Sequence, residues 1–136
     1  MAKADSFRCR VITPERMVLD CAATFAAFPA HDGEMGVLLN RAPMVCKLGT
    51  GPLRVQSPDQ THTLFVDGGF AQVVGNKLTI LTEQAKKAEE LDAAAANQAM
   101  VEARAMKTPT LDAVAARASA LKRAQVQLKL IKGKPA

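Results

Sequence analysis

The sequence lacks tryptophan and tyrosine, and its five phenylalanines account for the whole 4% aromatic content. Proteins that stack nucleic-acid bases or enclose quaternary amines use aromatic faces for this purpose. Both kinds of recognition therefore have little material in this chain. Aliphatic side chains have to fill the core, and 49% hydrophobic residues among 136 are enough for one compact domain with an appendage.

Long apolar runs are also missing. The longest, residues 21–30, is interrupted by Thr24 and Pro29, and it is shorter than the roughly 18 residues that a membrane-spanning helix needs. The first five residues contain no hydrophobic signal core. We therefore expect a cytoplasmic protein with neither a secretory signal peptide nor a transmembrane span.

Cysteine and histidine are too few and too scattered for a disulfide framework or a zinc site. Cys9, Cys21 and Cys46 form no C-x-x-C pair, and neither His31 nor His62 has a neighbouring ligand candidate. We interpret the three cysteines as buried thiols. The sequence predicts no metal site and no cofactor.

Positive charge is concentrated in the last part of the chain. Residues 1–84 contain eight basic and eight acidic side chains, whereas residues 85–136 contain ten and five, so the second part carries the whole net charge of +5. No acidic residue follows Asp112. This distribution predicts a tail that contacts an acidic surface.

The first part has the pattern of a β protein, with short alternating segments separated by Gly, Pro, Asn and Asp. Tight hairpin turns are predicted at Asp67-Gly68-Gly69 and Gly75-Asn76, and plain turns at His31–Glu34 and Gly49–Pro52. Many short strands are typical of a sandwich or a barrel. The predicted strands are Phe7–Ile12, one or two within Val18–Phe28, Met35–Leu39, Leu53–Gln56, Thr63–Val66, Phe70–Val74 and Leu78–Leu81.

After Leu81 the composition changes to good helix formers, and we predict helix from there onward. Asp92 is expected to cap a first helix over Ala93–Met106, with Ala96, Ala99, Met100 and Ala103 on one face. Thr108 is expected to cap a second helix, with Pro109 in its first position and Gly133 at its end. Its predicted apolar stripe is Leu111, Val114, Ala118, Leu121, Gln125 and Leu128. The resulting antiparallel hairpin should be weakly held, because alanine buries little area.

No catalytic constellation is apparent. Gly49-Thr50-Gly51-Pro52 lacks the Lys and the helix of a phosphate-binding loop, and the Ser and Thr residues have no suggestive His partner. The basic tail leaves open a second reading, a small cytosolic β-domain adaptor that binds RNA or another acidic partner, although no nucleic-acid-binding signature is present. Co-purification with a protein complex, against retention on nucleic acid, separates the two readings.

Five separated motifs occur in an order that is similar to one family. They are Val11-Ile12-Thr13-Pro14-Glu15, residues 28–38 (FPAHDGEMGVL), Asn40-Arg41-Ala42-Pro43, Asp67-Gly68-Gly69-Phe70 and Leu78-Thr79-Ile80-Leu81. Together with Leu91-Asp92 and the closing residues 121–128, they resemble the ε subunit of F-type ATP synthases, which is called δ in mitochondria. The resemblance covers nearly the whole chain.

The resemblance implies an α+β fold: a ten-stranded rotor-binding β-sandwich over residues 1–86 and a regulatory αα-hairpin over residues 87–136. It implies a non-catalytic subunit of the central stalk that links γ to the c ring. The hairpin would oppose ATP hydrolysis by reaching the α/β hexamer. The protein would be peripheral to the cytoplasmic face of the inner (plasma) membrane through the complex, and it would bind no nucleic acid.

Residue roles follow from the same resemblance. The predicted contacts are Glu34 and Asp32 for the c ring, Arg41, Gly69 and Phe70 for γ, and Arg117, Lys122 and Arg123 for the acidic segments of the hexamer. For Glu34 the alternative is an exposed turn carboxylate without a partner role. For the hairpin cations it is a solvated helix face.

Three positions depart from the family pattern. Arg41 stands where a histidine is usual, so pH dependence at that contact should be lost. Ala95 stands where ATP-sensing members have arginine, so we expect no ATP binding by the isolated subunit. Asp67 replaces a usual serine before Gly68, a change that the sequence does not explain.

Overall fold

The computed structural model describes residues 6–30, 33–38, 40 and 42–133. Ten strands precede two helices, so the predicted α+β fold class is confirmed. The strands are β1 (Phe7–Ile12), β2 (Met17–Ala23), β3 (Phe25–Ala30), β4 (Gly33–Val37), β5 (Met44–Lys47), β6 (Thr50–Gln56), β7 (Thr61–Asp67), β8 (Phe70–Val74), β9 (Lys77–Leu81) and β10 (Ala85–Lys87). A short 3₁₀ helix (Ala88–Glu90), α1 (Ala93–Ala105) and α2 (Leu111–Lys132) follow.

The strands form two five-stranded sheets. Sheet I has the order β2-β1-β9-β8-β5, and sheet II has the order β10-β7-β6-β3-β4. Alternate side chains of each strand point into a shared core, which includes Phe28, Leu53 and Leu78. β1 and β9 pair in parallel, with Arg8 opposite Lys77, while the other strand pairs formed by these ten strands are antiparallel.

The link between β7 and β8 differs from the prediction. Asp67-Gly68-Gly69 does not close a hairpin, because β7 belongs to sheet II and β8 to sheet I. Gly68 and Gly69 have φ of +71° and +101°, and this conformation carries the chain from one sheet to the other. The Gly75-Asn76 hairpin is confirmed: both residues have positive φ, and β8 and β9 pair directly on either side of them.

Three segments predicted as turn or helix are strand. Thr50-Gly51-Pro52 opens β6 and pairs with β7, and Pro52 is tolerated because β3 pairs with β6 only from Arg54 onward. Glu34 lies in β4 rather than in a turn. β10 pairs with β7 although Ala and Lys favour helix, so tertiary pairing overrides propensity there.

The helix boundaries are partly as predicted. Asp92 caps α1, with Oδ1 accepting a hydrogen bond from the Ala94 N–H at 3.1 Å, and Gly133 caps the end of α2. Thr110, rather than Thr108, caps the start of α2: its Oγ1 accepts from the Ala113 N–H at 3.1 Å. Pro109 therefore precedes the helix.

The predicted apolar faces of both helices need correction. Ala96, Met100 and Ala103 are buried on α1, as expected, but Ala99 is exposed. On α2 the predicted stripe fails at its first half, because Leu111, Val114 and Ala118 are exposed. The less exposed face follows Ala113, Arg117, Ala120, Ala124, Gln127 and Ile131 instead.

The chain divides into two compact units, Met1–Lys87 and Ala88–Ala136. The first contains the two sheets and the second contains both α-helices, which contact each other. Lys87 belongs to the first unit because it pairs with Leu64 as the last residue of β10.

Candidate docking faces

Glu34, the predicted c-ring contact, lies on the outer surface of sheet II. β4 is an edge strand of that sheet, and the Glu34 side chain is 51% exposed. Its two carboxylate oxygens accept hydrogen bonds from Arg54 Nη2 at 3.1 and 3.2 Å. Arg54 is on β6 and Glu34 is on β4, so this ion pair spans β3.

The Glu34–Arg54 pair is held loosely. Both side chains are about half exposed, and a pair of this kind contributes about 0.2–1 kcal/mol to folding at most. The Glu34 carboxylate is therefore available to a competing partner at small cost. Sequence reasoning missed Arg54, because only the pairing of β3 with both β4 and β6 brings it close to Glu34.

Phe70, a predicted γ contact, belongs to a larger apolar surface. Strand registers place Leu81 opposite Phe70, Ile12 opposite Leu81 and Met17 opposite Ile12. We call these four residues the apolar row. It crosses four adjacent strands on the outer face of sheet I.

Exposure distinguishes the apolar row from the core. Phe70 is 53% exposed, and Leu81 and Met17 are 46% exposed. The neighbouring row on the same face is largely polar, with Gln72, Thr79, Arg10 and Asp20 in register. The apolar row is therefore a narrow strip bordered by polar side chains, an arrangement that is typical of a docking surface.

Ionic contacts fix the polar border of this face. Arg8 donates two hydrogen bonds to the Asp20 carboxylate, one of them from Nη2 to Oδ2 at 2.7 Å. The Arg10 Nε atom lies 3.9 Å from Asp20 Oδ1. The hydrogen bond from Arg8 lowers the pKa of Asp20 from its ordinary value. The carboxylate thus stays ionised and keeps β1 and β2 in register on the outer face.

Gly69 acts through the backbone. A Cβ at this position would lie 1.9 Å from the Leu81 carbonyl oxygen, and φ is +101°. The Gly69 carbonyl accepts a hydrogen bond from the Leu48 N–H at 2.8 Å, and the Gly68 N–H donates to the Gly49 carbonyl at 3.1 Å. Gly69 therefore sets the position at which Phe70 enters β8.

The three predicted hairpin cations do not share one face of α2. At 100° per residue, Arg117, Lys122 and Arg123 point in three different directions. Arg117 is half-buried and its Nη2 donates to the Arg104 carbonyl at 3.4 Å, Arg123 is also half-buried, and Lys122 is exposed. Lys129, which sequence reasoning missed, lies two turns beyond Lys122 on the same exposed side.

Two of the predicted contacts, Asp32 and Arg41, lie outside the described residues. Asn40, next to Arg41, is anchored at the β8–β9 turn, because its N–H donates to Asn76 Oδ1 at 2.9 Å. Ala95 is an exposed residue in the first turn of α1.

Within the described ranges, no group of three or more His, Cys, Asp or Glu side chains is arranged to hold a metal ion. Neither α1 nor α2 is apolar enough over a sufficient length to span a bilayer, and the same holds for any helix in the part of the chain that the structure describes. The candidate contact features in the described residues are the Glu34–Arg54 ion pair, the apolar row and the two exposed lysines Lys122 and Lys129. The fold and these features indicate a class, a two-part protein with candidate docking faces on both parts.

Comparison with known proteins narrows this class. Residues 6–88 match the family described as ATP synthase, Delta/Epsilon chain, beta-sandwich domain. The ATP synthase epsilon chain of Rhodopirellula baltica is 43% identical over 124 residues, which cover 91% of this chain and 97% of that protein. The structure is similar to a chain in the Euglena gracilis mitochondrial ATP synthase OSCP/F1/c-ring (TM-score 0.79, 25% identity), with 89% of this chain and 78% of that chain covered.

A second solved structure, the central stalk and c-ring of the Tetrahymena thermophila mitochondrial ATP synthase, contains a chain with the same fold. The TM-score is 0.67 at 14% identity, and the match covers 91% of this chain and 95% of that chain. The chain belongs to the Delta/Epsilon chain family of ATP synthases. It is a stalk subunit of a rotary ATP synthase and not the catalytic one.

Proposed function

We propose that this chain joins the γ subunit to the c ring in the central stalk, and that its helical hairpin restrains ATP hydrolysis by the α/β hexamer. The observation that carries the first role is the exposed apolar row on sheet I, in a sandwich that belongs to a stalk-subunit family. The protein is then peripheral to the membrane through the complex.

The apolar row is the proposed γ contact. The apolar row gains free energy when a partner covers it, about 0.8–1.6 kcal/mol for Phe70, because 53% of this residue is still exposed. The ionic contacts of Asp20 hold the bordering strands in place, so little ordering is required on binding. Gly69 supports the same contact by fixing where Phe70 enters its strand.

Glu34 is the proposed c-ring contact. It is half exposed on an edge strand, and Arg54 is its partner in a pair that is weak in water. A polar loop that offers hydrogen-bond donors could share or take over the carboxylate. The Euglena relative is found in an assembly that includes a c-ring, which supports this partner for a chain of the same fold.

Lys122 and Lys129 are the proposed contacts of the hairpin with acidic segments of the hexamer. They replace the predicted set of Arg117, Lys122 and Arg123 in this role, because two members of that set are half-buried. Exposed lysines on one side of a helix act over about a Debye length, 8–10 Å at physiological ionic strength. Restraint by this contact should therefore weaken as salt is added.

The γ contact is tested by comparing two substitutions on one strand. Phe70→Glu places a charge in the apolar row, whereas Val74→Glu places the same charge on the same face of β8, four residues away and at similar exposure. We expect Phe70→Glu to weaken binding to purified γ roughly ten- to a hundredfold, and Val74→Glu to change it little. Calorimetric titration measures both.

Two results would contradict this proposal. Equal loss of binding for both variants would mean that the apolar row is not the specific contact, and unchanged binding for Phe70→Glu would remove γ from this face. Retention of the wild-type chain on RNA, without co-purification of γ or the c ring, would favour the adaptor reading of the basic tail instead.

A further inference from the structure

Cys9 and Cys21 lie directly opposite each other on neighbouring strands. In the β1–β2 ladder Phe7 pairs with Ala23, Cys9 with Cys21 and Val11 with Leu19, in unbroken register. Residues opposite each other in an antiparallel pair point to the same face. Here that face is the core side: Cys9 is fully buried, and Cys21 is partly buried against the core. Both are thiols in this structure.

The separation of these two residues follows from the hydrogen-bond pattern. The Arg8 N–H donates to the Asn76 carbonyl at 2.9 Å, so the backbone N–H and C=O of Arg8 point toward β9. The backbone groups of the next residue, Cys9, therefore point toward β2. Cys9 and Cys21 are therefore a hydrogen-bonded pair, for which the Cα atoms lie about 5.5 Å apart. Disulfides most often join residues whose Cα atoms are about 5.5–6 Å apart and whose Cβ atoms are about 3.5–4.5 Å apart. The Cβ atoms of a hydrogen-bonded pair lie about 5.5 Å apart, so β2, which is an edge strand, has to move by about 1 Å for the bond to form.

Two features keep the thiols opposite each other. On the outer face Asp20 binds Arg8 and lies near Arg10, so the strands are clamped immediately beside the cysteine pair. The only register shift in this ladder falls between Val11 and Ile12, beyond the pair. β2 is the edge strand of sheet I, which leaves Cys21 partly accessible from solvent.

We propose that Cys9 and Cys21 form a thiol–disulfide site that is oxidised by a small-molecule disulfide of the glutathione type. The Cys21 thiolate attacks one sulfur of the oxidant, forms a mixed disulfide and releases one thiolate. Cys9 then loses its proton and attacks Cys21 Sγ, which forms the Cys9–Cys21 bond and releases the second thiolate. Two protein thiols are oxidised and one small disulfide is reduced to two thiols, so the electrons balance.

The order of the two steps follows from burial. Burial raises the pKa of Cys9 to about 12, and it raises the pKa of Cys21 as well. Since the thiolate is the nucleophile, both thiols react slowly, and the partly accessible Cys21 has to meet the oxidant first. The site is therefore a slow sensor of sustained oxidation rather than a fast catalytic pair.

Cys46 provides an internal comparison, because it is also partly buried against the core but has no cysteine opposite it. It pairs with Ala71 on β8, and β8 and β9 separate its strand from β1. Three strand spacings place it about 14 Å from β1, which is too far for a disulfide with Cys9.

The test uses the full chain incubated with oxidised glutathione at pH 8, followed by proteolysis without reductant and mass mapping. We expect one peptide pair that joins Cys9 to Cys21, a loss of two hydrogen masses, reversal by dithiothreitol, and a thermal midpoint higher than that of the reduced chain. Cys46→Ser should give the same product. Cys21→Ser should give none, and glutathione should then leave its thermal midpoint unchanged.

Three results would overturn the proposal. They are a glutathione adduct that persists on Cys21 while Cys9 stays reduced, a disulfide-linked dimer of two chains in place of the internal bond, and no oxidation of either thiol within a day. The Cys46→Ser chain, in which both proposed partners are intact, decides among these results even if substitution of Cys21 disturbs folding.

Discussion

The sandwich and the hairpin are stabilised by different amounts of buried side chain. The largest fully buried side chains in the described residues all belong to Met1–Lys87, and they include Phe28, Leu53 and Ile80. In the helical unit the buried side chains are mostly alanine, and Ala124 is the one buried residue of the 22-residue helix α2. Large side chains hold the first unit together, whereas small ones hold the second.

This difference fits the two roles proposed for the units. A buried Leu or Phe contributes about 1.5–3 kcal/mol, whereas alanine contributes a fraction of that, so the free energy that holds α1 against α2 is small. A unit that joins γ to the c ring has to keep its shape under torque. A restraint that is applied and released needs states within a few kcal/mol of each other, and a weakly packed helical hairpin satisfies this condition.

The largest expected effect is on the sandwich, and it comes from one methyl group. Gly69→Ala should destabilise the protein by about 3–5 kcal/mol, because the new Cβ would meet the Leu81 carbonyl oxygen at 1.9 Å in a positive-φ conformation. Gly68→Ala is the matched control: its φ is +71° but nothing lies within 4 Å of the Cβ, so about 1–2 kcal/mol is expected. Urea unfolding measures both, and similar losses would show that the close contact with Leu81 does not matter.

A smaller effect is expected at the start of α2. Thr110→Ala should destabilise the helical unit by about 1 kcal/mol, because the Ala113 N–H loses its acceptor. Thr108→Ala should have almost no effect, since Thr108 is exposed and precedes the helix. Hydrogen exchange at the first amides of α2 reports the difference. Faster exchange in the Thr108 variant alone would restore the capping position that the sequence suggested.

Charge on the hairpin should affect activity more than stability. In the assembled enzyme, Lys122→Gln combined with Lys129→Gln should raise ATP hydrolysis about twofold to thirtyfold at low salt, because two exposed ion pairs contribute about 0.4–2 kcal/mol together. Truncation after Lys87 should raise it at least as much. Arg104→Gln with Lys107→Gln removes two charges from the same hairpin and serves as the control.

The outcomes of the hydrolysis measurement separate three cases. If truncation activates but the double lysine variant does not, apolar contacts rather than charges apply the restraint. If the control variant activates equally, total charge matters rather than its position. If no variant changes hydrolysis, the proposed restraint is wrong and only the link between γ and the c ring remains.

The smallest effect on stability is expected at Glu34. Glu34→Lys should lower the free energy of unfolding by about 0.2–1 kcal/mol, since the exposed pair with Arg54 is lost and two cations then face each other, and it should reduce ATP-driven ion pumping in membrane vesicles. The double variant Glu34→Lys, Arg54→Glu restores an ion pair with reversed charges. Pumping that returns in the double variant would show that the pair itself, and not the carboxylate, is required.

The period-2 segments and the change of composition near Leu81 were sufficient to predict the α+β architecture. The errors arose where distant chain segments decide the local structure. Ala85–Lys87 is a strand only because β7 offers a free edge, and Asp67-Gly68-Gly69 joins two sheets although its residues are those of a hairpin turn. Thr108 and Thr110 are both suitable capping residues, and Pro109 made Thr108 the expected one; α2 begins at Leu111, which makes Thr110 the cap.

The surfaces were harder to predict for the same reason. The apolar row combines residues from four strands, and its members Ile12 and Leu81 are 69 positions apart. Only the parallel pairing of β1 with β9 brings them together. Arg54 is similarly 20 positions from Glu34, with a whole strand between them in space. Phe70 was named from its motif, but the surface around it became visible only through the registers.

The parallel pairing of β1 with β9 has a consequence during synthesis. Arg8 is synthesised 69 residues before its partner Lys77, and this interval lasts about 3.5–14 s at ribosomal speeds of roughly 5–20 residues per second. Throughout this interval the hairpin of β1 and β2 has two unpaired edges, that of β1 as well as that of β2, a hazard for association with other nascent chains. The charged cluster of Arg8, Arg10 and Asp20 on this hairpin gives it the polar surface that opposes such association until β9 arrives.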